Sequence, residues 1–285
     1  MAACVGLFRG FADMDLYGQT ASGEVLAKES VIYKTVPDTS DDGMRPLRFD
    51  WIRPADWTAG DQRGSVVFFH GGGWVGGAPG QFSDHAAELA ARGLVCFHVE
   101  YRLLSRDDQS PPDQCVEDAS DAFRRIRRDA GVYGIDPDRI AAGGGSAGGH
   151  LAAFLGMMDD EVVGGVSRKP NALLLHNPVY DNGPGGWGTA RVKDAYLQYS
   201  PRHNLSQDDP PAIVYLGTND KLIPVATAES FRDESVQLGL RSDLHLYEGR
   251  GHGFFNSSKG DGSDYLDTLT KSIAFLESLG WFTDS

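Results

Sequence analysis

Residues 140–158 read Ile140-Ala-Ala-Gly-Gly-Gly-Ser-Ala-Gly-Gly-His150-Leu-Ala-Ala-Phe-Leu-Gly-Met-Met158, a run without one charged side chain. It is long enough to cross a bilayer, but six glycines and a histidine make it a poor membrane helix. Strand, turn and buried helix is the better reading. Within it Gly144-Gly145-Ser146-Ala147-Gly148 fits G-x-S-x-G, with an apolar strand immediately before and a helix-compatible run immediately after. A serine on so sharp a turn takes strained backbone angles, and the flanking glycines are needed because a Cβ there would meet the adjoining strand and helix. Its Oγ is then presented at a helix N-terminus, where N–H groups and the helix dipole favour developing negative charge. A glycine-rich turn that merely packs closely would share the pattern, so the partners decide.

Working outward, His70-Gly-Gly-Gly-Trp74 follows the apolar run Ser65-Val-Val-Phe-Phe69. Consecutive glycines let backbone amides converge beyond a strand end, and Gly72, Gly73 and Ala147 are the expected donors of an oxyanion hole. A phosphate loop is disfavoured because no Gly-Lys-Ser/Thr follows and the spacing is not G-x-G-x-x-G. Asp220 lies just past the buried-strand pattern of 212–216, and His252 just past that of 244–247. The order Ser146, Asp220, His252 is nucleophile, acid, base. In that constellation His252 takes the serine proton while Asp220 fixes the imidazole tautomer. His70 is expected to brace the glycine loop, His150 to stabilise the turn after Ser146, and Asp118 to make a cap or a salt bridge. Glu248, a rival acid, is too close to His252 in the chain to buttress it from across a sheet. The eight histidines show no H-E-x-x-H or other metal spacing, so no metal is expected.

The rest of the chain supplies the frame. Residues 31–36 and 47–53 alternate as two strands around a polar turn at 38–43, suited to an antiparallel edge. Short apolar runs at 65–70, 94–99, 140–143, 172–176 and 212–216 read as strands buried on both faces. Helices are expected from a Ser83 cap through Leu89, along the Val116, Ala119, Phe123, Ile126 face, over 226–238, and over Leu266, Leu269, Ile273, Leu276 and Leu279. Strands alternating with helices mean an α/β class, a mostly parallel sheet covered on both faces. No repeat or linker divides the 285 residues, so a single domain over 1–285 is expected. The aromatic, glycine-rich segment 179–206 is too long for an ordinary connection and reads as a functional insertion or a lid. Basic residues number 26 against 40 acidic, a net charge of −14 that argues against nucleic acid and anionic membranes as partners. Cys4, Cys96 and Cys115 have no metal or disulfide spacing and read as small apolar side chains. The first residues, MAACVGLFRGFADMDLYG, show no signal peptide. Compartment and oligomeric state stay open.

On these motifs the chain resembles the α/β hydrolase superfamily, more narrowly the hormone-sensitive-lipase-like carboxylesterases with HGGGW and GGSAGG. Through Glu100-Tyr-Arg102, Gly134-Ile-Asp-Pro-Asp-Arg139, residues 143–150 and Gly251-His-Gly-Phe-Phe-Asn256 it is also similar to acetylxylan and feruloyl esterases. The resemblance implies an eight-stranded, mostly parallel sheet and ester hydrolysis through an acyl-enzyme, with no cofactor. It also implies the triad Ser146, Asp220 and His252 and the donors Gly72, Gly73 and Ala147. Lipase-like relatives carry a long helical N-terminal cap; the weakly patterned first thirty residues argue against lipid substrates. Trp74, Tyr180, Trp187, Tyr196 and Tyr199 are candidates for an aromatic wall around a short acyl, phenolic acyl or sugar group. Two other readings stay open on the sequence: an amidase, arylformamidase or peptidase on the same triad, and a non-catalytic binding module on the same fold.

Overall fold

The computed structural model describes residues 27–38, 43–160 and 162–282. Cys4 and almost all of the weakly patterned first thirty residues lie outside them. So does the middle of the turn at 38–43, whose ends are joined by an Asp38 N–H to Gly43 carbonyl bond of 2.9 Å.

Strands β1 (Ala27–Pro37) and β2 (Met44–Arg53) form the expected antiparallel hairpin at the sheet edge. Then β3 (Arg63–Phe69), α1 (Ser83–Ala90), β4 (Val95–Val99), α2 (Asp113–Arg128), β5 (Ile135–Gly145) and α3 (Ala147–Met157) alternate. They are followed by β6 (Ala172–His176), the single turn α4 (Thr189–Val192), β7 (Ala212–Gly217), α5 (Val225–Gln237), β8 (Ser242–Tyr247) and α6 (Ser263–Ser278). The eight strands lie in the order β1-β2-β4-β3-β5-β6-β7-β8. All neighbours from β4 to β8 are parallel.

Period-two alternation explains why the central strands read as continuous apolar runs. In β3, Val67 and Phe69 join the core under α2, α3 and α5, while Val66 and Phe68 join the core under α1 and α6. Every residue of α3 is buried, which is what a helix apolar on all sides requires and why residues 140–158 resemble a membrane span without being one. No helix among the described residues is long and apolar enough to cross a membrane. Cys96 and Cys115 are free and buried.

Two local expectations are corrected. Ser83 makes no side-chain cap; it is the first residue of α1, which continues from a 3₁₀ turn over Pro79–Phe82. The stretch Gly134-Ile-Asp-Pro-Asp-Arg139 is not only a turn: Ile135 already pairs with Arg63, and a register shift carries β5 past Pro137 to Ile140 opposite Ser65. Asp118 is fully enclosed, and Lys34 Nζ (2.9 Å), Arg102 Nε (2.8 Å) and Arg102 Nη2 (2.7 Å) converge on it. This ion cluster ties β1, the chain after β4 and α2 together. Parallel strands put their carboxyl ends at one edge, so the residues after β3, β5, β6, β7 and β8 meet there.

Candidate active site

Ser146 sits between β5 and α3 with φ 55° and ψ −118°, a conformation that a non-glycine residue holds only where its surroundings over-determine it. Those surroundings are specific. Its N–H donates to the His176 carbonyl (3.0 Å), and its own carbonyl accepts from His150 and Val179. A Cβ on Gly144 would lie 2.4 Å from the Gly148 carbonyl carbon, and one on Gly148 would lie 2.0 Å from the Phe69 oxygen, so only glycine permits this elbow. From Ile140 to Met158 every residue is buried except Ser146, which is half-exposed. The hydroxyl therefore reaches the surface from an otherwise sealed segment.

The loop after β3 curls through left-handed backbone at Gly72 (φ 123°), Gly73 (φ 64°) and Trp74 (φ 64°). A Cβ on Gly71 would lie 3.3 Å from that of Ser146, so loop and elbow touch. The N–H groups of Gly72, Gly73 and Ala147 have no acceptor among the described residues. As expected, His70 braces this loop: its Nδ1 lies 2.8 Å from the Gly71 oxygen, its ring stacks on Tyr101, and the Tyr101 hydroxyl donates to its carbonyl.

His252 presents Nδ1 to Asp220 Oδ2 at 2.7 Å. The Asp220 side chain is wholly enclosed, and its Oδ1 accepts the N–H groups of Leu222 (2.8 Å) and Ile223 (3.2 Å). Burial pushes this carboxyl up, but the bonds from His252, Leu222 and Ile223 outweigh it and hold it below the usual carboxylate value. An ionised Asp220 makes Nδ1 the protonated nitrogen of a neutral imidazole, leaving the lone pair on Nε2. That nitrogen lies 3.3 Å from Asn177 Nδ2. Asn177 is adjacent to His176, whose carbonyl holds Ser146, so elbow and imidazole converge on the end of β6. Asn177, buried and at φ 34°, is the site residue that sequence reading missed. Glu248, the rival acid, is exposed, and it is Asp220 that the imidazole meets.

The aromatic candidates divide. Trp187 lies over the glycine loop, its ring 3.4 Å from where a Gly73 Cβ would be, and it packs on Trp74 at 5.0 Å. Trp74 is fully buried between Trp187 and His150. Tyr180, Tyr196 and Tyr199 do not join a wall there. Tyr180 is fully buried against Phe231 of α5, Tyr196 packs on His203, and the Tyr199 hydroxyl bonds Asp113 of α2 at 2.5 Å. His150 serves the insertion as well as the elbow, since its Nε2 donates to the Tyr199 carbonyl at 2.7 Å. The 179–206 segment is thus tied to α2, α3 and α5.

An eight-stranded α/β sheet with a serine elbow and an Asp–His pair at its carboxyl edge defines the α/β hydrolase class. The BD-FAE family model matches residues 56–179. The probable carboxylic ester hydrolase LipM of Mycobacterium tuberculosis is 30% identical over 228 residues, 71% of this chain and 47% of its own. The acetylxylan esterase of Xylanibacter ruminicola is 31% identical over 58% of this chain and 35% of its own. The chain spans about half the length of the curated relatives it matches. Among solved structures, Thermogutta terrifontis esterase 2 phosphorylated by paraoxon superposes with TM-score 0.81 at 36% identity, covering 90% of this chain and 96% of that one. Its propionate-bound form gives 0.79 at 34% identity, with the same coverage. The chain belongs to the carboxylesterases of the α/β hydrolase superfamily.

Proposed function

We propose that this chain hydrolyses carboxylic esters of short acyl groups through an acyl-enzyme on Ser146. The observation that carries the reading is a half-exposed serine at a left-handed elbow held by the His176 carbonyl, with the neighbouring Asn177 facing an imidazole whose tautomer a buried, ionised Asp220 fixes with the lone pair on Nε2. Ser146 Oγ attacks the ester carbonyl carbon as His252 Nε2 takes its proton. The carbonyl oxygen becomes an oxyanion facing the N–H groups of Gly72, Gly73 and Ala147, each donor worth about 3 kcal/mol of barrier. His252 then gives the proton to the departing alkoxide, leaving the acyl group on Ser146. Water, deprotonated by His252, attacks that acyl group; the acid leaves and the proton returns to Ser146.

Short acyl groups are favoured because Trp187 closes over the Gly73 side of the loop. The propionate-bound form of the solved neighbour supports the same size. Carbohydrate-linked acetyl esters enter the reading through the acetylxylan esterase relative. A panel of p-nitrophenyl esters from acetyl to dodecanoyl, with acetylated xylan and methyl ferulate, tests it. The expected result is a maximum at acetyl to butyryl; a maximum at long chains, or turnover confined to amides, overturns it.

A further inference from the structure

The N–H of Gly71, in the glycine loop, donates to Gln81 Oε1 at 2.6 Å, and Gln81 Nε2 donates to Asn256 Oδ1 at 3.0 Å. Asn256 Nδ2 donates to the Gly253 carbonyl at 2.7 Å, and the Gly253 N–H donates to Asn177 Oδ1 at 3.0 Å. Asn177 Nδ2 then faces His252 Nε2 at 3.3 Å. Every amide orientation in this path is fixed by a backbone group with only one polarity. Gly71 N–H can only donate, so Gln81 turns its oxygen there and its nitrogen toward Asn256. The Gly253 carbonyl can only accept, so Asn256 turns its nitrogen there and its oxygen toward Gln81. The Gly253 N–H claims the Asn177 oxygen, which leaves the Asn177 nitrogen for His252. Asp220 takes the proton of Nδ1, so Nε2 is an acceptor and the last link is a true donor–acceptor pair.

We infer that Gln81, Asn256 and Asn177 form a one-directional carboxamide relay that positions the glycine loop and the His252 imidazole together. The inference rests on the hydrolase reading above, because it assigns meaning to the Nε2 lone pair. Gly253 accepts from Asn256 at its carbonyl and donates to Asn177 at its N–H, so a break at Gln81 loosens Asn256 and Gly253 and, through them, the hold on His252, although Gln81 and His252 share no contact. The Asn177 N–H donates to the neutral imidazole and would face N–H against N–H once Nε2 is protonated. It also aims Nε2 at Asn177: among the described residues the Ser146 hydroxyl has no hydrogen-bond partner, and the imidazole must turn from Asn177 to take the serine proton. Asp220 is bound to this imidazole, and Arg250, two residues before it in the chain, pairs with Asp264.

The test uses Asn177→Asp and Gln81→Met, singly and together, with His252→Ala as reference, on p-nitrophenyl acetate from pH 5 to 9. Asn177→Asp keeps the acceptor for Gly253 but puts a carboxylate against Nε2. It is expected to lower kcat at pH 7 and move the acid limb of kcat/KM upward by about one pH unit or more. Gln81→Met, remote from the imidazole, is expected to lower kcat about tenfold with KM within about twofold, and to move the same limb in the same direction. The double variant falls short of additivity by about threefold or more. An unmoved acid limb in both single variants, or additive effects, overturns the relay, and Gln81→Met decides alone should Asn177→Asp fail to fold. If His252→Ala is inactive while both relay variants match the wild type, only the relay falls. If His252→Ala keeps wild-type turnover, the hydrolase reading falls and the relay with it.

Discussion

His252 and Asp220 stand 32 residues apart in the chain and 2.7 Å apart in space, with the carboxylate enclosed and the imidazole at the surface. The pairing is directional: an ionised acceptor at Oδ2 forces the proton onto Nδ1. Asn at 220 would present an amide that also satisfies the opposite tautomer, with the lone pair turned inward. Asp220→Asn is therefore expected to lower kcat about 10⁴-fold with KM changed little, as loss of tautomer control does in such triads. Steady-state kinetics at pH 7 check it, and a loss under tenfold would remove Asp220 from the proposed role.

Five histidines are buried among the described residues, and four of them, beside His70, which burial also lowers, dominate the acid stability. Burial pushes His98 and His150 down to about 4, His176 to about 3 and His85 well below the ordinary imidazole value. The unfolded chain binds protons at these positions below about pH 6.5 and the folded chain does not, so stability is present above that pH and lost as pH falls toward 4. Each imidazole contributes about 1.4 kcal/mol per pH unit in that window, and the four together about 5 at the steepest. Asp220, whose carboxyl is held low, adds to acid loss only below about pH 4. Thermal melts from pH 7.5 to 5 should show Tm falling from about pH 6.5; a Tm constant to pH 5 would contradict the account.

Trp187 is the aromatic positioned to limit acyl length. Trp187→Ala opens the space above Gly73 and should shift the ratio of kcat/KM for octanoyl over propionyl esters upward by about tenfold or more, the scale of at least one methylene in a pocket. An unaltered ratio would make the ring an anchor for Trp74 only.

Asp118 is assigned no step in the proposed chemistry, yet three side-chain donors from Lys34 and Arg102, and the Arg102 N–H, end on its buried oxygens. Asp118→Ala leaves Lys34 to Glu117 and Asp121 and Arg102 to Glu117, so it should cost about 1–3 kcal/mol, enough to lower Tm by about 5 °C. Turnover per folded molecule at 25 °C should stay within about twofold, so active-site titration separates the two effects. A Tm change under 2 °C, roughly the lower end of what 1 kcal/mol gives in a domain of this size, would show the cluster to be dispensable.

Much of this was legible in the chain because its signals are local. Gly144, Ser146 and Gly148 declare an elbow through the geometry only glycine permits, and the alternation in β3 declares a strand between two helical layers. Asp220 and His252 were found because each closely follows a buried-strand pattern, and parallel strands carry such positions to one edge. What was illegible depends on partners remote in sequence. Tyr180 reads as a pocket aromatic until Phe231 covers it, and Ile135 reads as turn because Pro137 hides the register shift. The Gln81–Asn256 bond spans 175 positions and leaves no periodic trace, and Asn177 acquires meaning only when His252 arrives beside it.

The central claim is that Ser146 is the nucleophile. The most direct measurement is hydrolysis of p-nitrophenyl acetate by wild type and Ser146→Ala, paired with mass spectrometry of the wild-type protein after treatment with a fluorophosphonate. The account predicts one adduct, on the peptide bearing Ser146, and loss of at least about 10⁴-fold in kcat for the variant. Turnover retained by Ser146→Ala, or an adduct on another residue, would contradict it.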